Sequence, residues 1–162
     1  MITVEEIKGI LNEKFINNYQ TITRVSERTD NNSKISMLES NFEVFNYDDG
    51  ILKIINNSKK QGAMCAVDAI DIQKDTIYFI EFKDGAVFGA KPKDKYQLRL
   101  KMIESIFQLL DVLDLPLNKF KEFLDLKKVF ILVYNDNNAY KGIYPEEKDL
   151  RQVSQIPFVA CF

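Results

Sequence analysis

Cys65-Ala-Val-Asp-Ala-Ile-Asp-Ile-Gln-Lys-Asp-Thr-Ile-Tyr-Phe-Ile-Glu-Phe-Lys83 is the stretch whose reading decides the fold. Two runs rich in β-branched and aromatic residues flank the polar pair Lys74-Asp75, the pattern of two strands joined by a tight turn. Side chains alternate along a strand, so Glu81 and Lys83 share a face of the second run. A two-residue loop at Lys74-Asp75 puts Gln73 opposite Thr76. One face then carries Asp68, Ile70 and Ile72 on the first strand and Ile77, Phe79 and Glu81 on the second. In this register Asp68 lies directly opposite Glu81, with Cβ atoms about 4.5–5.5 Å apart. An odd loop would instead bring Asp71 to the face of Glu81, but far from it along the strands. Two opposed carboxylates repel, so the favoured register calls for a bound cation or for Lys83 as partner.

The flanking sequence reads as follows. Thr3 with Glu6 forms a capping box, and Ile7, Ile10, Leu11, Phe15 and Ile16 recur at helical spacing, predicting a helix from Thr3 to about Tyr19. Asp30-Asn-Asn-Ser33 is a polar break. Ile35 to Tyr47 suits helix or strand, Ile51 to Ile55 suits either in a short piece, and Asn56 to Gly62 reads as a loop. After the hairpin, Gly85 to Lys93 is a connection. A long helix is predicted from about Asp94 to Leu113, with the apolar stripe Tyr96, Leu100, Ile103, Phe107 and Leu110. Leu115-Pro116 ends it, and Asn118 to Leu126 is a further short helix. Lys128 to Tyr134 is apolar enough for a central strand. Asn135 to Asn138 is a turn, Pro145 to Gln155 a helix, and Ile156 to Phe162 a last edge strand. The expected class is α/β, a mixed sheet sandwiched by helices in one domain over residues 1–162.

Composition narrows the chemistry. The 162 residues are 46% hydrophobic and 28% charged, ordinary for a globular chain with a core of its own. No apolar run reaches the roughly 20 residues that span a bilayer, and the acidic start Met1-Ile-Thr-Val-Glu-Glu does not suit a signal peptide. The expectation is a cytoplasmic protein without a membrane partner, its Cys65 and Cys161 reduced. Histidine is absent, which removes Ser-His and Cys-His nucleophile schemes and His-ligated zinc. Any metal must be held by oxygen, which favours magnesium, manganese or calcium. The net charge of −2 is unfavourable for nucleic acid, yet from Phe82 to Lys101 six basic residues face two acidic ones, a local balance of +4.

Asp68, Glu81 and Lys83 resemble the motif of the PD-(D/E)xK phosphodiesterase superfamily, the restriction-endonuclease-like fold. The resemblance spans about Ile35 to Tyr134, with Asp68 at the motif Asp and Glu81-Phe82-Lys83 at the Glu-x-Lys. It implies an αβββαβ core, with the Asp on the second strand and the Glu-x-Lys on the third. It implies Asp68 and Glu81 as ligands of Mg2+ or Mn2+, and Lys83 beside the attacking water. Gln97 matches a glutamine carried by the next helix in some members, although Lys101 stands where those have tyrosine. Glu39, or else Glu43, is the candidate for an acid supplied before the hairpin. Lys95, Arg99 and Lys101 would meet the nucleic-acid backbone. The implied function is a metal-dependent nuclease acting on DNA or RNA in restriction, repair or defence. The alternative is an inactive nuclease-like immunity or anti-defence protein that binds a toxin or another nuclease. A second copy of the chain is a further candidate partner. Without the resemblance, the same residues read as a surface ion pair at a strand end.

Overall fold

The computed structural model of the chain describes residues 2–30, 33–58, 65–83, 92–134 and 156–158. The expected connection at Gly85 to Lys93 falls almost wholly outside these residues. The turn at Asn135 to Asn138, the helix at Pro145 to Gln155, Cys161 and the end of the last strand lie outside them.

Helix α1, Val4–Lys14, starts at the predicted capping box: Thr3 Oγ1 accepts the Glu6 N–H and the Glu6 carboxylate accepts the Thr3 N–H. It ends five residues earlier than the sequence suggests. Phe15 leaves helical backbone, and its buried ring meets Phe45 edge-on at 5.5 Å. The chain continues as β1 (Tyr19–Thr21), the short α2 (Ile22–Val25) and a hairpin of β2 (Glu27–Asp30) and β3 (Ser33–Ser36). Of the polar break, Asp30 ends β2 and pairs with Ser33 at the start of β3, and Asn31 and Asn32 lie outside the described residues. The ambiguous stretch after it resolves into β3 and β4 (Glu43–Asn46).

A wide π-helical turn at Asp48–Leu52 then leads into α3, Lys53–Ser58. Strands β5 (Ala69–Gln73) and β6 (Thr76–Lys83) pair with Gln73 opposite Thr76 and Ile70 opposite Phe79, the predicted register from Ala69 to Gln73. The expected Asp68–Glu81 pair is not part of the ladder. Lys74 takes a positive φ of 51° in the turn. The long helix is α4, Pro92–Leu113, followed by α5, Leu117–Asp125, and β7, Lys127–Tyr134.

Among the described residues the main sheet has six strands in the order β1-β4-β5-β6-β7-β8, where β8 is Ile156–Phe158. β4, β5 and β6 form an antiparallel meander, β7 runs parallel to β6, and β8 is antiparallel to β7. The sheet is mixed, and the chain is α/β. β7 is flanked on both sides, as its continuous apolar run requires.

The larger core lies on one face of the sheet. Ile7 and Leu11 of α1, Leu109 and Leu113 of α4 and Phe123 of α5 pack there with Ile70, Ile77 and Phe79. Each such side chain gains about 1.5–3 kcal/mol from burial. The opposite face carries a smaller cluster, Val44, Ala69, Ile80 and Val133, against Ile22 and Val25. α4 departs from its predicted orientation. Tyr96, Ile103 and Phe107 of the expected stripe are exposed, and of that stripe Leu110 alone is fully buried. The inward face carries Ser105, Gln108, Leu109 and Leu113 instead. Among the described residues no helix is long and apolar enough to cross a membrane.

Candidate functional site

The ladder between β5 and β6 changes at Asp68. Ala69 pairs with Ile80, but the Asp68 N–H also donates to the Ile80 carbonyl at 3.0 Å. Two residues of one strand thus face one of the other, as in a β-bulge. The Phe82 N–H, beyond the last regular pair, finds its acceptor in Asp68 Oδ2 at 2.6 Å. The Asp68 carbonyl accepts the Tyr47 N–H at 2.9 Å, which ties the bulge to the start of the π-turn.

Helix α4 fixes the chain before the bulge. Ser105 Oγ accepts the Val67 N–H at 2.9 Å and donates to the Lys101 carbonyl at 2.7 Å. Glu104 accepts the Cys65 N–H at 2.7 Å, and Gln108 Nε2 donates to the Cys65 carbonyl at 3.0 Å. The buried Tyr47 hydroxyl donates to the Ser105 carbonyl at 2.7 Å. These bonds go with the turned helix: residues 65–67 precede β5, and α4 supplies polar side chains that satisfy the Cys65 and Val67 backbone groups.

Glu81 is buried, and its Oε1 accepts from Lys101 Nζ at 2.7 Å. Its Oε2 is buried and has no hydrogen-bond partner among the described residues. Burial, and then the neighbouring Asp68 carboxylate, push the Glu81 carboxyl well above its ordinary range, against the pull of Lys101. Burial likewise raises Asp68, while Lys101, the Phe82 N–H and Lys83 oppose the rise. Burial pulls Lys101 down, but Glu81, Asp68 and Asp48 outweigh it and hold the ammonium above its usual value.

Asp48 is the residue that sequence reading missed. It begins the π-turn and opens onto a cleft of about 250 Å³ that Asp49, Asp68 and Asn46 also line. It keeps contact with solvent, yet the protein around it and the Asp68 charge push its pKa up to about 6. The available signal is Asp48-Asp49-Gly50, two adjacent acids before a glycine.

The structure therefore brings Asp68, Glu81 and Lys83 to one end of the hairpin, with Lys83 half-buried opposite Tyr134 in the register. Lys101 joins them from α4. It does not lie on an outer strip with Arg99: it turns inward to Glu81, whereas Arg99 is exposed. Helical geometry forbids a common strip, since residues two apart point to different faces. The cation beside Glu81 is thus Lys101 rather than Lys83. Gln97 is exposed. Glu39 is exposed on the connection between β3 and β4, on no helix, and Glu43 lines a separate cleft with Asp71. The side chain of Lys95 lies outside the described residues.

Oxygen donors of this kind suit a hard divalent cation. Among the described residues no three acidic or cysteine side chains converge as they stand on one point that could hold a metal ion. Magnesium in general needs only one or two protein carboxylates, because it keeps several waters. Comparison with protein-family models, with curated proteins and with solved structures finds no match to this chain.

Proposed function

We propose that the chain is a metal-dependent phosphodiesterase acting on nucleic acid, with Asp68 and Glu81 as the ligands of Mg2+ or Mn2+. The observation that carries this reading is the Glu81 carboxylate: buried, raised by that burial and then by the Asp68 charge, and holding one oxygen without a hydrogen bond among the described residues. A strained pair of acids beside a cleft is a feature of functional sites. The chain also carries the mixed sheet and long helix that such a core would need, with Asp68 just before β5 and Glu81 on β6. Asp48, at the mouth of the cleft, would bind waters of the cation. The cation would lower the pKa of a water and offset charge developing on the phosphodiester. Lys83 would orient that water or stabilise the developing charge.

Calorimetric titration with Mn2+, followed by cleavage assays on single- and double-stranded DNA and RNA, tests the reading. Binding of Mn2+, with cleavage reduced about 100-fold or more by Lys83→Ala, is expected. Absence of metal binding, or cleavage that survives Lys83→Ala, overturns it. A nuclease-like binding protein is the second reading. It is favoured by the Lys101–Glu81 ion pair, which already neutralises the acid without a metal. Capture and inhibition of a nuclease, without metal binding, would establish it.

A further inference from the structure

Lys101 reaches the site from α4 and donates to Glu81 Oε1 at 2.7 Å. Glu81 is also where the phosphodiesterase reading puts a divalent cation. Two positive groups on one buried carboxylate repel each other, and little water is at hand to screen them. We propose that the Lys101 ammonium stands in for the divalent cation when no metal is bound, and that the cation takes Glu81 only by displacing it. The proposal deepens the phosphodiesterase reading and rests on it for the identity of the cation.

Three observations support it. The first is the asymmetry of the pair. The Glu81 side chain is 4% exposed and that of Lys101 is 28% exposed. Glu81 is fixed on β6, which is paired on one side by β5 and on the other by β7. An exchange of partners must therefore move the lysine. Its flexible four-carbon stem can swing while the helix stays in place. The backbone beneath it is anchored, since the Ser105 hydroxyl donates to the Lys101 carbonyl at 2.7 Å.

The second is that the ammonium leaves the carboxylate half satisfied. It meets Oε1, while Oε2 is buried with no donor among the described residues. Native structures seldom leave such an oxygen unmet. A divalent cation that keeps several of its waters brings both charge and donors to the same carboxylate.

The third is that both positive groups draw on one set of acids. Glu81, Asp68 and Asp48 all favour the Lys101 ammonium against the cost of its burial. These are the acids that the phosphodiesterase reading assigns to the cation and its waters. By linkage, the factor by which the ammonium weakens the cation's hold is the factor by which the cation weakens the ammonium's.

The test is calorimetric titration of the full natural chain, Lys101→Met and Lys101→Arg with Mn2+ at one neutral pH. Lys101→Met keeps the stem and removes the charge. It should bind Mn2+ at least about tenfold more tightly than the natural chain. Mn2+ should also raise its melting temperature by more. Lys101→Arg keeps the charge and should stay near the natural affinity. Equal or weaker Mn2+ binding by folded Lys101→Met, or the same gain in Lys101→Arg, overturns the proposal.

If Lys101→Met does not fold, as judged by circular dichroism, the natural chain supplies a second measurement. NMR of the lysine ammonium groups, with Lys101 assigned from Lys101→Arg, follows a titration with Mg2+. The Lys101 signal should shift, and its hydrogens should exchange faster, as the pair opens. A signal that stays unchanged overturns the proposal. Cleavage assays on DNA and RNA separate the two claims. Tighter Mn2+ binding by Lys101→Met, with no cleavage by the natural chain, leaves the competition standing and removes the phosphodiesterase. Metal-dependent cleavage by the natural chain, with Mn2+ affinity indifferent to Lys101→Met, does the reverse.

Discussion

The carboxylate of Asp68 accepts the backbone N–H of Phe82 at 2.6 Å. One side chain thus serves as a sheet acceptor and lies electrostatically beside Glu81. These two duties separate by mutation. Asp68→Asn keeps an oxygen acceptor and removes the charge, so its metal-free melting temperature should equal or exceed that of the natural chain while Mn2+ binding is lost. Asp68→Ala removes the acceptor and should cost about 1–3 kcal/mol. Thermal melts and calorimetry read both. Equal destabilisation by the two substitutions would refute the dual role.

Lys101 holds Glu81 in a pair whose side chains are 28% and 4% exposed. Lys101→Met keeps the stem and removes the ammonium that favours the charged form of Glu81, at a cost that grows above about pH 8 toward roughly 3 kcal/mol. The loss should shrink at lower pH, where Glu81 takes up a proton instead. Adding Glu81→Gln should recover most of it. Urea unfolding at two pH values measures this, and a pH-independent loss would count against the pairing.

The acids give the site a definite pH response. Asp48 moves from an ordinary 3.8 to about 6 in the folded chain, so the native state holds its proton more tightly than the unfolded state. Its contribution to stability is therefore present at low pH and declines as pH rises through that window. Asp48→Asn removes the decline, so the variant should gain on the natural chain in melting temperature from about pH 4 to about pH 6.5. A cation binds the deprotonated form, so stabilisation by Mn2+ should grow over the same range. A constant difference between variant and natural chain would exclude this assignment.

Ser105 is fully buried and joins the Val67 N–H to α4. Ser105→Ala strands that N–H away from water and should lower stability by about 1–3 kcal/mol. Hydrogen exchange should locate the loosening at residues 65–68. Protection there equal to that of the natural chain would show that Ser105 does not anchor the segment.

Gly50 sits inside the π-turn that begins at Asp48. A Cβ there would lie 2.7 Å from Phe45 Cζ and 3.3 Å from Asn18 Nδ2. The Phe45 ring is held edge-on by Phe15 at 5.5 Å and Tyr19 at 5.6 Å, and cannot yield cheaply. Gly50→Ala should destabilise by about 1–3 kcal/mol and weaken Mn2+ binding by moving Asp48. Unaltered stability would show that the turn has room to relax.

Much of this was legible in the chain. The capping box at Thr3 and Glu6, the register of the hairpin and the central place of β7 depend on neighbours a few residues apart or on strand alternation. The inward face of α4 was not legible. Its apolar stripe at Tyr96, Ile103 and Phe107 is stronger than the polar one that faces the sheet, and helix patterning weighs hydrophobicity rather than the needs of a partner's backbone. Lys101 and Ser105 point inward because residues 65–67 and Glu81 lie there, a fact that sequence spacing does not carry.

Sequence alone determined that two acids and a lysine meet at one end of a hairpin, because alternation and turn length are local properties of a strand pair. Tertiary structure decided which cation holds Glu81, and that Asp48, twenty residues before Asp68, completes the acidic cluster. It also decided that Arg24, Glu27 and Lys34 line one cleft with Asp48 and Asp68. Those relations arise only when α4 and the π-turn pack against the bulge, since charge and burial act through space and not along the chain.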